Sequence, residues 1–363
     1  MASPSARRDY RITGPESEHA RQKGLVSAEW YMSPVPRQRL KELMRRKDGP
    51  ALRDTLIWFA LLIGAGVLAW NSWGTWWAVP AFLLYGLLYT TPAESRWHEC
   101  SHGTPFKTSW MNETLYQISS FMCVKPPTPL RWSHSRHHTD TIIVGVDPEI
   151  KGKRPPIWRE LLLEFGRLIA GPLSIRRVIL HCFGKLDDEE KLYIPEIQHR
   201  KTFWESRVWV LVYGGFIAWA VAIESFLPLM FVGLPYVYGS WMHILLSATQ
   251  HMGLDEDVLD HRLNSRTFYT NRFIRFLYWN MNYHIEHHMY PMVPYFNLPA
   301  LHEEIKRDCP PATPSFTAAL KEVAAALWKQ RKDPDYLIER HLPPSAQPYA
   351  YGPVSLRKSI ANR

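Results

Sequence analysis

Four long uncharged stretches dominate the pattern of apolar and polar positions along the chain. They are residues 55–71, 73–91, 208–223 and 225–246. A helix that spans a membrane needs roughly 20 apolar residues, and only Ser72 and Glu224 separate the members of each pair. Buried core helices are the alternative, but soluble helices of this length usually show a polar face. The pattern therefore predicts four transmembrane helices arranged as two hairpins.

The charged segments between the hairpins predict their orientation. Residues 1–54, 92–206 and 247–363 are rich in Lys and Arg, whereas neither short hairpin turn contains one. Because positive charge favours the cytoplasmic side, all three segments are expected there. The predicted organisation is a basic cytoplasmic segment (1–54), a membrane domain (55–305) and a cytoplasmic tail (306–363).

Shorter patterns add detail to these segments. Residues 34–47 predict a basic amphipathic helix on the membrane surface, and residues 316–331 predict a second amphipathic helix. The apolar stretches 115–124 and 161–170 are too short to span a membrane. We expect them at the membrane interface or packed beneath the functional site.

Composition supports a membrane protein that faces a reducing compartment. The chain has 16 Trp and 17 Tyr, which favour membrane–water boundaries, and a net charge of +9, which favours anionic headgroups. A soluble aromatic-rich enzyme is the alternative, and no nucleic-acid motif is present. The four cysteines show no CxxC spacing and no disulfide pattern. The polar first fifty residues do not predict a cleavable signal peptide.

Half of the 16 histidines fall in three short clusters. The clusters are His98-Glu99-Cys100-Ser101-His102, His134-Ser135-Arg136-His137-His138 and His284-Ile285-Glu286-His287-His288. On a helix, positions three or four apart face the same way, so each cluster can aim its imidazoles at one point. The predicted topology also brings all three clusters to one face of the membrane.

Eight imidazoles are too many for one ion, so a two-metal site is the simplest interpretation. Neutral imidazole suits iron, zinc and copper, and zinc usually closes at four ligands, which favours iron. His251 follows the fourth apolar stretch and is a candidate ninth ligand. His243 and Ser247 lie eight and four residues earlier on the same helical face, as candidates for an outer contact or an extra ligand.

These motifs resemble the integral-membrane fatty acid desaturase and hydroxylase superfamily, whose signature is HxxxH, HxxHH and HxxHH between two membrane hairpins. The resemblance covers roughly residues 55–305. Within this range, the stretches 137–147 (HHTDTIIVGVD) and 284–301 (HIEHHMYPMVPYFNLPAL) are also similar to the family's segments at the second and third clusters. It implies an all-α integral membrane fold in which a cytoplasmic helical cap holds two iron ions. The implied ligands are His98, His102, His134, His137, His138, His284, His287 and His288, and His251 matches a further ligand position of acyl-CoA desaturases.

The resemblance also implies a reaction and its partners. The expected activity is O2-dependent oxidation of an unactivated C–H bond, foremost desaturation of a fatty acyl chain. No HPGG haem motif of a fused cytochrome b5 is found. Electrons are therefore expected from a separate ferredoxin or cytochrome b5 with its reductase.

Three alternatives remain open at this stage. Hydroxylation, ketolation or alkene-forming decarboxylation of a fatty acid, alkane or isoprenoid would use the same scaffold. HECSH also matches the HExxH motif of zinc proteases, with Glu99 as general base, but this leaves two clusters unexplained. A membrane adaptor with a degenerate site is the third, although the clusters are intact.

Overall fold

The computed structural model describes residues 8–150 and 153–349, and across these residues the fold is all-α, as predicted, with only three isolated β-bridges. The α-helices are α1 (Glu16–Gln22), α2 (Arg37–Leu43), α3 (Asp48–Ser72), α4 (Ala78–Ser101), α5 (Ser109–Met122), α6 (Pro127–Thr139), α7 (Trp158–Phe165), α8 (Ala170–Cys182), α9 (Glu190–Tyr193), α10 (Glu196–Ala222), α11 (Leu227–Phe231), α12 (Pro235–Tyr238), α13 (Trp241–His251), α14 (His261–Asn264), α15 (Arg272–Leu277), α16 (His284–Met289), α17 (Leu298–Ile305) and α18 (Phe316–Lys329). The ends of the predicted N-terminal segment and C-terminal tail, residues 1–7 and 350–363, lie outside the described residues.

The first predicted hairpin forms from α3 and α4, which pack along each other. Its turn contains Gly74 with a φ of 80°, a conformation that glycine adopts at little cost. Helix α4 continues well beyond the apolar stretch 73–91 and ends at Ser101, despite Pro92 in its interior. The first histidine cluster is therefore part of the same rigid helix as the apolar stretch.

The second predicted hairpin differs from its expectation in one half. Helix α10 covers 208–222 but begins earlier, at Glu196. The stretch 225–246 is not one continuous helix. It divides into α11, α12 and the start of α13. Pro228 and Pro235 lie in the first turns of two short helices, and Gly233 between them has a φ of 90°. Proline lacks the N–H that a continuing helix needs, so the apolar run folds in pieces.

A close contact between two glycines joins this broken segment to α4. A Cβ atom added to Gly239 would lie 2.2 Å from the carbonyl oxygen of Gly86. A Cβ on Gly86 would likewise overlap the ring of Tyr238. The absence of both side chains lets the backbones touch. This contact brings α13, which ends at His251, alongside the helix that carries His98.

The long helices leave much of their apolar surface uncovered. On α3, Ile63 is 66% exposed, and on α10, Leu211 is 76% exposed. Contiguous apolar surface of this kind is rare on soluble monomers and marks contact with lipid or protein. Within the described residues, one helical stretch, Arg37–Ser72, is long and apolar enough to cross a membrane.

The shorter predicted elements are present as helices. Helix α2 lies within the predicted amphipathic segment 34–47, and α18 matches the predicted helix 316–331. The apolar stretch 115–124 forms most of α5, whereas 161–170 spans parts of α7 and α8. Helix α18 packs against α13 and thereby supports the segment that carries His251.

Candidate metal centre

The three histidine clusters lie at helix ends that meet at one place. The first cluster occupies the last turn of α4, where His102 is the C-terminal cap. The second lies in the last turns of α6, a helix that starts with a proline at its first position. The third makes up most of the short helix α16. Because helical spacing puts residues i and i+4 on one side, each helix end directs two or three imidazoles inward.

The inward imidazoles form two groups, of which the first has five members. In the first histidine group the ligand nitrogens all lie within 4.8 Å of one another. Nε2 of His134 lies 3.2 Å from Nε2 of both His102 and His138, and His138 is also 3.2 Å from His287. Nε2 of His98 is buried without a hydrogen-bond partner. The members of the first histidine group are His98, His102, His134, His138 and His287.

The second histidine group combines residues from the second and third clusters with His251. Ligand nitrogens of His137, His251 and His288 lie within 4.8 Å of one another. Nε2 of His284 lies 2.9 Å from that of His251 and 3.0 Å from that of His288. We therefore count His137, His251, His284 and His288 as the second histidine group. The two groups adjoin, because the rings of His138 and His288 stack at 4.4 Å.

The spacing of these nitrogens fits shared metal ions. Two imidazole ligands at about 2.1 Å from one ion and at right angles would be about 3.0 Å apart. The nearest Nε2 pairs measured here are separated by 2.9–3.2 Å. Five converging imidazoles exceed the four ligands at which structural zinc usually closes. The donor set therefore fits two ions with imidazole-rich coordination.

In several rings, the hydrogen-bond partner of the outer nitrogen Nδ1 explains why Nε2 faces the centre. Nδ1 of His137 lies 2.7 Å from a carboxylate oxygen of Asp147, and Nδ1 of His251 lies 2.8 Å from the Asn264 carbonyl oxygen. These oxygens only accept hydrogen bonds, so each Nδ1 must donate. In a neutral ring that leaves a lone pair on Nε2, directed at the centre. Such outer partners fix the tautomer of ligating histidines in metal sites.

Two further rings have outer partners of the same kind. Nδ1 of His134 lies 3.3 Å from the Glu149 carboxylate, and Nδ1 of His288 lies 3.1 Å from the Thr141 hydroxyl. Asn264 in turn donates from its side chain to the Thr141 carbonyl oxygen, which links two of these supports. The rings are thus held in place from outside the centre.

Burial keeps most of these imidazoles neutral, which is the form that binds metals. It lowers the pKa of His102 and His287 to about 3. His137 is the exception, because the Asp147 carboxylate outweighs the effect of burial and raises its pKa to about 9. A metal ion at Nε2 would take the place of that proton.

Glu99, the glutamate of the HExxH match, faces away from the inner nitrogens of the histidines. Its carboxylate accepts hydrogen bonds from the Thr104 hydroxyl and the Tyr295 backbone N–H, both at 3.1 Å. It also lies 3.3 Å from the outer nitrogen of His287. The Glu99 carboxylate lies behind the His287 ring, whereas a protease base must face the metal-bound water. This geometry speaks against the zinc protease alternative.

Comparison with known proteins decides the family. The sequence model of the fatty acid desaturase family matches residues 74–319, about two thirds of the chain. The chain belongs to the fatty acid desaturase family. The family's match spans α4 to α18 and contains all nine histidines of the two groups.

Curated relatives of this family member include plant desaturases at low identity. It is 24% identical to the chloroplastic omega-6 fatty acid desaturase of Arabidopsis thaliana, over 81% of this chain. It is 19% identical to the chloroplastic omega-3 fatty acid desaturase of Glycine max, over 68% of this chain. The match spans 65% and 57% of the length of these two relatives.

Two sequence candidates of this desaturase-family protein lie outside the histidine groups. His243 points its Nε2 at the Glu94 carboxylate, 3.7 Å away, and belongs to neither group. The Ser247 hydroxyl donates to the Ile244 carbonyl oxygen of its own helix. Both lie on the same face of α13 as His251, and from this face His243 points to Glu94 of α4. The outer contact or extra ligand role suggested for His243 and Ser247 from their spacing stays a prediction.

The supporting residues of the desaturase-family site were missed by the analysis of the sequence. Asp147, Glu149, Thr141 and Asn264 each contact an outer imidazole nitrogen. A signal existed for two of them, since Thr141 and Asp147 lie within the stretch 137–147 that carries the family resemblance. Asn264 acts through its backbone carbonyl oxygen, and a backbone contact leaves no mark on the sequence.

Proposed function

We propose that this protein is an oxidoreductase that desaturates fatty acyl chains with O2, using two iron ions held by the two histidine groups. The observation that carries the proposal is the convergence of nine imidazoles into two adjoining groups with Nε2 facing inward. Family membership and the names of the plant relatives support the fatty acyl substrate class. Imidazole is a good ligand for iron. Nine imidazoles can occupy most positions of two coordination spheres and leave positions for O2.

The proposed reaction needs an external reductant. One –CH2–CH2– unit, O2, two electrons and two protons give one –CH=CH– unit and two water molecules. A ferredoxin or cytochrome b5, with its reductase, is the proposed electron source. Bound iron would supply the redox chemistry that activates O2.

The chain's own residues have distinct tasks in this proposal. The histidines hold the ions, while Asp147, Glu149, Thr141 and the Asn264 carbonyl orient the rings. Most of these groups are buried, with Asp147 and His287 fully so. A dry, packed surrounding keeps water from quenching a strong oxidant.

We also propose that α3, α4, α10 and the broken segment α11–α13 lie in a membrane as two hairpins. The uncovered apolar surface of α3 and α10 supports this placement. Irregular backbone between α11 and α13 is tolerable at membrane depth where protein buries it, and Tyr236 and Pro235 in this segment are buried. The metal centre would then face the cytoplasm, on the side of the basic segments.

Product analysis tests the proposed function. The protein would be produced in a host with a suitable reductase, and lipid and small-molecule extracts would be compared by mass spectrometry. A new double bond in an acyl chain supports desaturation. A hydroxyl group or a terminal alkene would instead assign hydroxylation or decarboxylation on the same scaffold. A matched host producing the His138→Ala variant provides the baseline.

A further inference from the structure

A basic cavity lies apart from the metal centre, at the start of α3. It is open to the surface, with a volume of about 600 Å³, and its lining residues are all exposed: Met44, Arg45, Arg46, Lys47 and Lys107. Four of these five side chains are cations, and in residues 8–150 and 153–349 none of the four forms an ion pair. The four cations outnumber the neighbouring Asp48 carboxylate, and the like charges in excess repel one another. The cavity is therefore suited to an anion.

Two separate segments of the chain build this cavity. Asp48 accepts hydrogen bonds from the backbone N–H of Thr108 at 2.9 Å and from its hydroxyl at 2.8 Å. These bonds hold the loop that carries Lys107 against the first turn of α3. On the other side, the Asn297 amide donates to the Leu43 carbonyl oxygen at 2.6 Å, which holds the segment that leads into Arg45. The Asp48 carboxylate, which accepts both bonds from Thr108, attracts Lys107 electrostatically and offsets one of the four positive charges.

The position of the cavity indicates which anion it meets. It opens at the first turn of α3, the helix within the stretch that is long and apolar enough to cross a membrane. Leu52 and Leu56, one and two turns further along, share a helical face and are 40% and 60% exposed. A ligand for this surface has an anion at one end and an apolar chain at the other.

We propose that the cavity binds the phosphate of an anionic phospholipid whose acyl chains lie against α3. The inference rests on the membrane placement in the proposed function, but not on the redox chemistry. Lys and Arg next to a membrane surface attract anionic headgroups. Arg45 and Arg46 add planar guanidinium groups, which can bind phosphate oxygens in pairs. The site thus recognises the lipid by its headgroup, independently of the acyl chain that is oxidised.

The test measures lipid retention on the full-length protein in detergent, by native mass spectrometry with phosphatidylglycerol or phosphatidylcholine. The test variant is Arg46→Gln/Lys47→Gln/Lys107→Gln. The matched control is Arg200→Gln/Lys321→Gln/Lys332→Gln, which removes three exposed, unpaired cations elsewhere. We expect phosphatidylglycerol affinity to fall about tenfold or more in the test variant and to stay unchanged in the control. Unchanged melting temperatures would show that both variants fold.

Other outcomes overturn the proposal. An equal loss of phosphatidylglycerol from the test and control variants would mean that net charge, rather than the cavity, attracts the lipid. Displacement of the lipid by excess inorganic phosphate, with equal binding of phosphate alone, would assign the cavity to free phosphate. If the test variant retained the lipid but lost reduction by an acidic electron carrier, the cavity would be a protein-docking surface. Iron content and desaturation product, measured on the same preparations, report separately on the proposed function.

Discussion

Glu94 and His243 lie 3.7 Å apart and join the two helices that serve the two histidine groups. Glu94 precedes His98 by one turn of α4, and His243 precedes His251 by two turns of α13. The fully buried Glu94 carboxylate also accepts hydrogen bonds from Lys125 at 2.7 Å and from Trp97 at 2.6 Å. Arg167, between α7 and α8, lies 3.4 Å from its other oxygen. One carboxylate therefore holds four segments around the metal centre.

The first prediction concerns this carboxylate. Glu94→Gln should destabilise the protein by about 3 kcal/mol, because it leaves buried cations without their counter-charge. Thermal unfolding followed by tryptophan fluorescence measures the change. Glu303→Gln is the control, since its carboxylate is 63% exposed and pairs with Lys306 at the surface. The control should lose less than about 1 kcal/mol, and equal losses in the two variants would refute the role of Glu94.

A double-mutant cycle isolates the contact between the two helices. Glu94→Gln and His243→Gln, separately and combined, should show a coupling free energy of about 0.5–3 kcal/mol. If the two effects simply add, the 3.7 Å contact contributes nothing to the joining of α4 and α13.

The second prediction concerns turnover. His134→Ala, His138→Ala and His288→Ala should each abolish it, because each change removes a ligand from a buried centre. His19→Ala and His341→Ala should keep full activity, since these side chains are 58% and 82% exposed and lie outside both groups. Product formation in the same host measures the result. Full activity in His138→Ala would show that the second cluster is not part of the metal centre.

The third prediction separates the two histidine groups by metal content. The purified protein should hold about two irons, because nine imidazoles fill two coordination spheres. His251→Ala should reduce this to about one, since it removes one of only four imidazoles from the second group. His243→Ala should keep both irons, because His243 faces Glu94. Elemental analysis decides, and an active preparation with one zinc and no iron would contradict the proposal.

The fourth prediction tests the outer support of the rings. Asp147→Asn should lower metal affinity or activity by about 10–100-fold, the usual effect of losing a partner behind a ligating histidine. The change removes the carboxylate that lies 2.7 Å from Nδ1 of His137. Iron release to a chelator measures it. Asp188→Asn is the control, because Asp188 is 86% exposed and pairs with Lys191 at the surface. Equal release rates in the two variants would exclude a supporting role for Asp147.

The fifth prediction concerns the proposed topology. In a variant with Cys182→Ser, a cysteine at Asn71 or Glu224 should react with a membrane-impermeant reagent in intact cells. A cysteine at Ser135 should react only after lysis, because the basic segments face the cytoplasm. All three positions are exposed, whereas Ser72 at the first turn is 8% exposed and would report poorly. Labelling of Ser135 from outside the cell would exclude the proposed orientation.

The amino-acid sequence alone determined the components of this protein. Uncharged runs predicted α3, α4 and α10, because a helix without a polar face needs an apolar surrounding. The spacing of the clusters predicted which imidazoles face inward, because helical periodicity is a local property. The position of His251 after the last apolar stretch indicated the ninth member of the two groups.

Only the tertiary structure decided how these components combine. The second and third clusters each divide between the two groups, with His134, His138 and His287 in one and His137, His284 and His288 in the other. That division depends on the angles between α6, α16 and α4, which local spacing does not encode. The contact between Gly86 and Gly239 sets where α13 meets α4 and directs His243 to Glu94. Contacts between distant backbones and buried charges arise only when the chain packs, so no pattern along the sequence predicts them.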